Sequence, residues 1–173
     1  MKTLVIVSHP YFERSHFIKA LQQTAESLPN VTVRNLESLY GHDVKAFDIA
    51  AEQQAHEAAD RIMYLFPVHW FNVTPMLKAY LNEVWAYGWA FGSGTALKGK
   101  TLQLVVTAGG SEQNYQAGFD SMDTVLMPMK ISADYVGMQY LPALAFYDAK
   151  EPTDATLKAM QQTFADYLKQ TEV

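Results

Sequence analysis

The chain contains no cysteine. That removes disulfides, thiolate catalysis and sulfur-ligated zinc or iron–sulfur centres, so redox chemistry has to come from a bound cofactor. It also suits a reducing compartment, and a cytoplasmic location is the expectation. No apolar run approaches the roughly 18 residues of a membrane span. The opening MKTLVIVSHP has one lysine and an apolar stretch too short for a signal-peptide core. Positive charge is thin: 13 Lys and Arg against 18 Asp and Glu give a net charge of -5, without the basic cluster that a nucleic-acid surface needs. GxGxxG does not occur, which disfavours a dinucleotide held by the glycine fingerprint; GTALKGKT at 94–101 spells GxxxxGK[ST], but it leads into a strand instead of joining a strand to a helix, so a nucleoside triphosphate is disfavoured as well. The five histidines show no HxxxH or carboxylate-linked spacing, and no metal site is expected. Linkers, repeats and low-complexity tracts are also missing.

What is present is 173 residues, 49% of them hydrophobic, enough for one domain spanning 1–173 with a proper core. The informative stretch is Arg61 to Pro75, RIMYLFPVHWFNVTP. Ile62 to Phe66 form an unbroken apolar run, the profile of a central parallel strand covered on both faces, and Pro67 ends it. Val68 to Asn72 then form a loop at the strand's carboxyl end, before Thr74 and Pro75 start a helix as N-cap and first-turn residue. Trp70 and Phe71 read either as core residues or as rings displayed for a flat ligand, since open α/β sheets bind ligands at this edge.

The same pattern recurs along the chain. Thr3 to Ser8 is a buried first strand, followed by the loop His9 to Ser15 and a helix from Ser15 to Ser27 with Phe17, Ile18, Leu21 and Ala25 on one stripe. Val31 to Leu36 alternates like an edge strand, and Asp48 caps a helix through Ala59. A helix from Pro75 to about Tyr87 leads into the Gly- and aromatic-rich connection 87–94, of a kind that is commonly functional or mobile. Thr101 to Thr107 is the fourth strand, ending in Ala108-Gly109-Gly110, where glycines let a ligand approach the backbone. A helix from Met122 to Tyr135 is expected to break or curve at Pro128; Gln139 to Phe146, with Pro142, forms an edge strand, and Thr153 caps the last helix. Five strands alternating with five helices predict a three-layer α/β sandwich with a parallel sheet of order 2-1-3-4-5.

That order brings the loops after strands 1, 3 and 4 together. A helix N-terminus at Ser15 to Ile18, helped by the Ser15 hydroxyl and His9, suits a phosphate; Trp70 and Phe71 suit a planar group; Thr107 to Gly110 offers close backbone. Together they describe a phosphorylated aromatic cofactor. His69 either orients a ligand or faces solvent, Glu13 and Arg14 read as solvated loop charges, and the Met122, Met127, Met129 and Met138 group reads as core filling or as an adaptable surface.

The residues resemble the flavodoxin-like NAD(P)H:quinone oxidoreductases, including the Kef-type potassium-efflux ancillary proteins. VSHPYFERSHFIKAL is similar to that family's phosphate loop, FPVHWFNVTPMLKAYLNEVW to its flavin-stacking loop and helix, GWAFG to its aromatic turn, and VTAGGSEQNYQAGF to its second flavin loop. The resemblance implies FMN or FAD, reduction by NADH or NADPH, ping-pong turnover with a quinone or related acceptor, and a homodimer. It places His9, Ser15, His16, Phe17 and Ile18 at the phosphate, Pro67, Val68, His69, Trp70 and Phe71 along a flavin edge, and Thr107, Ala108, Gly109 and Gly110 at the pyrimidine end. Tyr115 matches the tyrosine bordering hydride transfer and is the catalytic candidate. Where some relatives have a relay histidine, Asp120 and Ser121 stand here. Two further roles remain open: regulation of a potassium-efflux transporter, at the inner face of the membrane, and one-electron carriage of flavodoxin type.

Overall fold

A computed structural model describes residues 1–118 and 121–170 of the chain; Asp120, at the relay position, lies outside them. In chain order the elements are β1 (Thr3–Val7), α1 (His16–Glu26), β2 (Val31–Asn35), α2 (Leu36–Tyr40), α3 (Ile49–Glu57), β3 (Arg61–Pro67), α4 (Pro75–Val84), β4 (Thr101–Thr107), α5 (Met122–Tyr135), β5 (Gln139–Tyr140), β6 (Leu144–Phe146) and α6 (Asp154–Lys169). A 3-10 turn (Phe12–Arg14) precedes α1, and a π-helical turn (Asn114–Gly118) precedes α5.

The sheet runs β2-β1-β3-β4-β5, with β6 also on β4 and every pairing parallel, so the flavodoxin-like order expected from the alternation is what forms. β1 and β3 are buried at every position, as strands covered on both faces must be. Alternate residues divide between two cores: Leu4, Ile6, Ile62, Tyr64, Leu102 and Leu104 pack with α4 and α5, while Val5, Val7, Met63, Leu65 and Val105 pack with α1 and α6. The period-2 alternation of a strand thus builds the three layers. Because the strands are parallel, all their carboxyl ends meet one rim.

Three expectations need correction. The fifth strand is two short pieces, because Pro142 has no N–H for the ladder; the Gln103 side chain donates to the Pro142 carbonyl at 2.9 Å across the gap. A helix, α2, follows β2 directly, capped by Asn35, whose side chain accepts from the Ser38 N–H at 3.0 Å. α5 is not broken at Pro128, the break being the half of that expectation that the structure overturns. The connection 87–94 is a pinned turn, with Gly88 N–H donating to Phe91 O at 2.9 Å and the Trp89 indole donating to Glu57 at 2.7 Å. Met122, Met129 and Met138 are core residues; Met127 faces outward.

One buried charge network braces the second and third layers. Glu52, fully buried, accepts from Arg34 at 2.6 and 2.8 Å, from the Tyr40 hydroxyl, and from the Tyr80 hydroxyl at 2.7 Å. Its carbonyl meets His56 Nδ1 at 2.8 Å, and burial holds that imidazole down at about 4. Breaking a buried carboxylate's partners costs about 3–5 kcal/mol, so Glu52→Ala is expected to lose stability of that order in urea titration. His56 binds its proton more readily unfolded than folded. Stability is therefore full above about pH 6.5 and falls as pH drops toward about 4, by up to roughly 1.4 kcal/mol per pH unit for one proton. The difference between wild type and His56→Gln across that window isolates the imidazole, and equal slopes would contradict its assignment.

Candidate functional site

The rim is assembled from four loops. After β1, Ser8 is buried and its hydroxyl donates to Glu37 Oε1 at 2.8 Å, while the His9 N–H donates to Glu37 Oε2 at 3.0 Å. Since the Ser8 proton is committed to the carboxylate, the short contact between Ser8 and Thr74 has the Thr74 hydroxyl as donor. Thr74 in turn accepts from the Leu77 N–H, as the N-cap of α4. A single carboxylate on α2 thereby joins the loop after β1 to the helix that follows β3. Nothing in the sequence marks Glu37, because α2 is too short to show a helical period.

His9 Nδ1 accepts from the Tyr11 N–H at 3.0 Å, which leaves Nε2 as the protonated nitrogen of a neutral ring. Its ring stands edge-on to His69 at 5.8 Å. Burial, with His69 adding repulsion, lowers His9 to about 4, and burial lowers His69 as well, so both imidazoles are neutral at pH 7. His69 is half-buried against His9 and does not simply face solvent. Ser15 caps α1 by accepting from the Ile18 N–H at 3.1 Å, which consumes that donor. The first-turn N–H groups of His16 and Phe17 have no intrahelical acceptor and sit at the positive end of the helix dipole. The side chains of Phe17 and Ile18 are core, so these two residues can serve an anion only through backbone; His16 is exposed. Glu13, on the same loop, pairs with Lys19 at 2.6 Å.

After β3, Val68 N–H donates to Thr107 O at 2.8 Å, and His69 and Asn72 exchange both backbone hydrogen bonds at 3.1 and 3.2 Å around Trp70 and Phe71. Both central residues have positive φ, 50° and 58°. That pattern is the two-residue turn for which Asn-Gly is the natural choice, and each bulky residue held there costs about 1–2 kcal/mol. Trp70 is 94% exposed and Phe71 46% exposed, so neither is a core residue. A cleft of about 530 Å³ opens beside the turn, lined by Pro10, Tyr11, Val68, His69, Trp70, Val73 and Pro75. That volume falls in the range of small-molecule sites.

After β4, Ala108 N–H donates to Phe146 O and its carbonyl accepts from the Ala149 N–H, both at 2.9 Å. Gly110 O accepts from the Asp148 N–H at 3.0 Å. The N–H groups of Gly109 and Gly110 donate to nothing among the described residues, and Gly109 is exposed. Tyr115 is buried, which raises its phenol; its ring lies 6.5 Å from Phe71 and 5.5 Å from Tyr147. The loop after β6, carrying Tyr147, is the one that sequence reasoning missed. Its signal was hidden because Gln139 to Phe146 read as one edge strand with no loop of interest beyond.

The rim thus offers outward backbone donors at two places, a neutral imidazole N–H, and two displayed rings. Such a set matches an anion joined to a planar heteroaromatic system with acceptors along one edge. It does not match a metal: among the described residues no group of three or more His, Asp or Glu side chains is placed to hold one. No helix among the described residues is long and apolar enough to cross a membrane.

Comparison with known proteins extends this picture. The family model described as flavodoxin-like fold matches residues 1–170. General stress protein 14 of Bacillus subtilis is 38% identical over 98% of both chains. The glutathione-regulated potassium-efflux system ancillary protein KefF of Klebsiella pneumoniae is 37% identical over 95% of this chain and 93% of the relative. Among solved structures, general stress protein 14 of Treponema denticola in complex with FMN superposes with a TM-score of 0.86 at 34% identity, covering 97% and 96% of the two chains. An NADPH-quinone reductase of P. pentosaceus gives 0.88 at 27%, covering 99% and 100%. A protein described as a thermophilic tryptophan halogenase of Streptomycin violaceusniger gives 0.91 at 34%, covering 98% and 99%.

The turn geometry yields a direct test. Asn tolerates the left-handed region, and Trp70 buries almost nothing, so Trp70→Asn is expected to raise stability in urea by about 0.5–1 kcal/mol. A loss of stability would mean that the turn is not strained.

Proposed function

The chain belongs to the flavodoxin-like fold family, and from that premise we propose that it is an FMN-dependent oxidoreductase reducing quinones or related acceptors with NADH or NADPH. The observation that carries the proposal is the strained pair Trp70 and Phe71, exposed at a rim whose other loops carry backbone N–H groups with no acceptor among the described residues. FMN is preferred over FAD because a relative of 34% identity is known as its FMN complex. When bound, FMN would supply the two-electron chemistry, accepting hydride from the nicotinamide and passing it to the acceptor in alternating, ping-pong half-reactions.

The residues that would hold it follow from the donors. The N–H groups of His16 and Phe17, the Ser15 hydroxyl and His9 Nε2–H serve the phosphate. Ile18 contributes through its bond to Ser15. Pro67 to Phe71 border the ring system. The Gly109 and Gly110 N–H groups, beside Thr107 and Ala108, would donate to its polar edge and offset negative charge there, as oxyanion-hole donors do. Tyr115, packed against Phe71, is the side chain best placed for a hydrogen bond to the reacting groups. Water is kept from the inner side by the burial of Thr107, Ala108 and Tyr115.

The assembly we propose is a homodimer. Ile131 and Tyr135, 61% and 71% exposed, line a groove of about 450 Å³ between α4 and α5, and Tyr87, 75% exposed, stands edge-on to the groove residue Phe91, apolar surface of the sort that a second copy covers. A second reading, favoured by the 37% identity to KefF, makes the chain a cytoplasmic ancillary subunit docked on a potassium-efflux transporter, with turnover secondary. A variant that has lost turnover but still supports efflux in cells would select it. A halogenase activity, as named for one similar structure, would require halide, an oxidant such as O2 and an aromatic acceptor, and mass analysis for chlorinated tryptophan after incubation with all three and reduced flavin separates it.

The test begins with the absorption spectrum of the protein before and after FMN, then steady-state NAD(P)H oxidation with a quinone. Parallel double-reciprocal lines are expected. Trp70→Ala is expected to weaken FMN binding roughly two- to tenfold by fluorescence titration, the range of an aromatic stack. Absence of FMN uptake by the wild type at micromolar concentration would overturn the proposal.

A further inference from the structure

The rings of Phe71, Tyr115 and Tyr147 come from three different loops and touch in sequence, with centroids 6.5 and 5.5 Å apart. Phe71 is half-exposed, Tyr115 is buried, and Tyr147 is half-buried and packed against the core of the α4 and α5 side. Among the described residues, the turn that carries Tyr115 makes local backbone bonds: Asn114 N–H to Ser111 O, Tyr115 N–H to Glu112 O and Gln116 N–H to Gln113 O, at 3.0 to 3.2 Å. Such a turn needs a tertiary contact to fix its orientation, because local bonds alone are satisfied in any orientation of the whole turn.

Tyr147 is held in place to provide one. The next residue, Asp148, has a φ of 54°, an uncommon conformation for a residue other than glycine. It is held there by three backbone bonds: Asp148 N–H to Gly110 O at 3.0 Å, Ala149 N–H to Ala108 O at 2.9 Å and Lys150 N–H to Asp148 O at 2.8 Å. The same loop therefore fastens the glycine turn and presents a ring to Tyr115. Burial raises the Tyr147 phenol, with Glu112, Tyr115 and Asp123 adding to the effect, so it is a neutral hydroxyl at neutral pH.

We propose that Tyr147 is a positioning residue: its ring backs Tyr115 and sets where that phenol stands on the rim, so that the loop after β6 tunes the acceptor side of the site. The role requires the ring and not the hydroxyl. It rests on the reading of Tyr115 as a residue of the hydride-transfer site, but its physical part, the backing of one ring by another, does not depend on any cofactor.

Hydrogen exchange of the protein without added flavin tests that part alone. Tyr147→Ala is expected to speed exchange at the Asn114, Tyr115 and Gln116 amides about tenfold while leaving β1 and β3 amides unchanged, and Tyr147→Phe is expected to restore wild-type protection. Unchanged exchange in Tyr147→Ala, equal loosening by the Phe variant, or loosening spread over the whole sheet would each overturn the proposal.

With FMN-loaded enzyme, Tyr147→Ala is expected to raise the KM for the quinone several-fold, with FMN affinity within twofold of wild type. In a Tyr115→Ala background the same substitution should change KM no further, since its effect passes through Tyr115. Additive effects would overturn it. Failure of the wild type to take up FMN would instead sink the functional reading and leave the exchange result standing.

Discussion

The site depends on a closed frame of hydrogen bonds with Ser8 at one end and Glu52 at the other. From Ser8 the path runs to Glu37 on α2, along that helix to Tyr40, and from the Tyr40 hydroxyl to Glu52 on α3. It returns from Glu52 to Tyr80 on α4, back along α4 to its cap Thr74, and so to Ser8. Every link is a polar group that is buried or half-buried, where an unmade hydrogen bond is expensive. The frame therefore tolerates little displacement of α2 against α4. It carries the loop after β1 and the start of α4 on the same rigid body, which parallel strands by themselves do not guarantee.

One carboxylate in that frame bears on the electrostatics of the rim. Glu37 lines the same surface depression as His9 to Arg14, yet both of its oxygens accept hydrogens from the loop after β1, so its charge serves backbone and hydroxyl. His9 and His69 are held neutral by burial. Attraction for an anion at this edge then comes from oriented N–H groups and a helix dipole, which do not titrate near neutral pH. A cradle made this way discriminates by geometry as well as charge, since backbone donors point in fixed directions.

Much of this was legible in the residues. Unbroken apolar runs at Val5 and Ile62, Ser, Thr and Asp caps, and strict alternation of strand and helix lead directly to the parallel order, because each signal is local and all agree. The loops after the first, third and fourth strands were legible for the same reason, as each lies where a strong strand pattern stops. What escaped was short or tertiary. α2 spans five residues, less than the window in which a period shows; Pro142 splits a strand whose neighbour, not its own sequence, supplies the ladder. Glu37, Glu52 and Tyr147 matter only through partners far away in the chain. Trp70 and Phe71 stand out as rings, but that they lie at the surface and not in the core follows from a backbone conformation that no side-chain pattern encodes.

That conformation also explains why the site sits where it does. A left-handed Trp-Phe pair persists only if its surroundings over-determine it. On one side the turn is held to β4 through Val68 and Thr107; on the other, the chain enters α4 through Thr74, which the frame already fixes. With both ends clamped a few residues apart, the segment between them has few ways to close, and the one adopted turns both rings away from the core. The buried network of Glu52 and the strain at Trp70 are thus two sides of one arrangement: rigidity in the layers below is what allows an unfavourable backbone to be kept at the rim above.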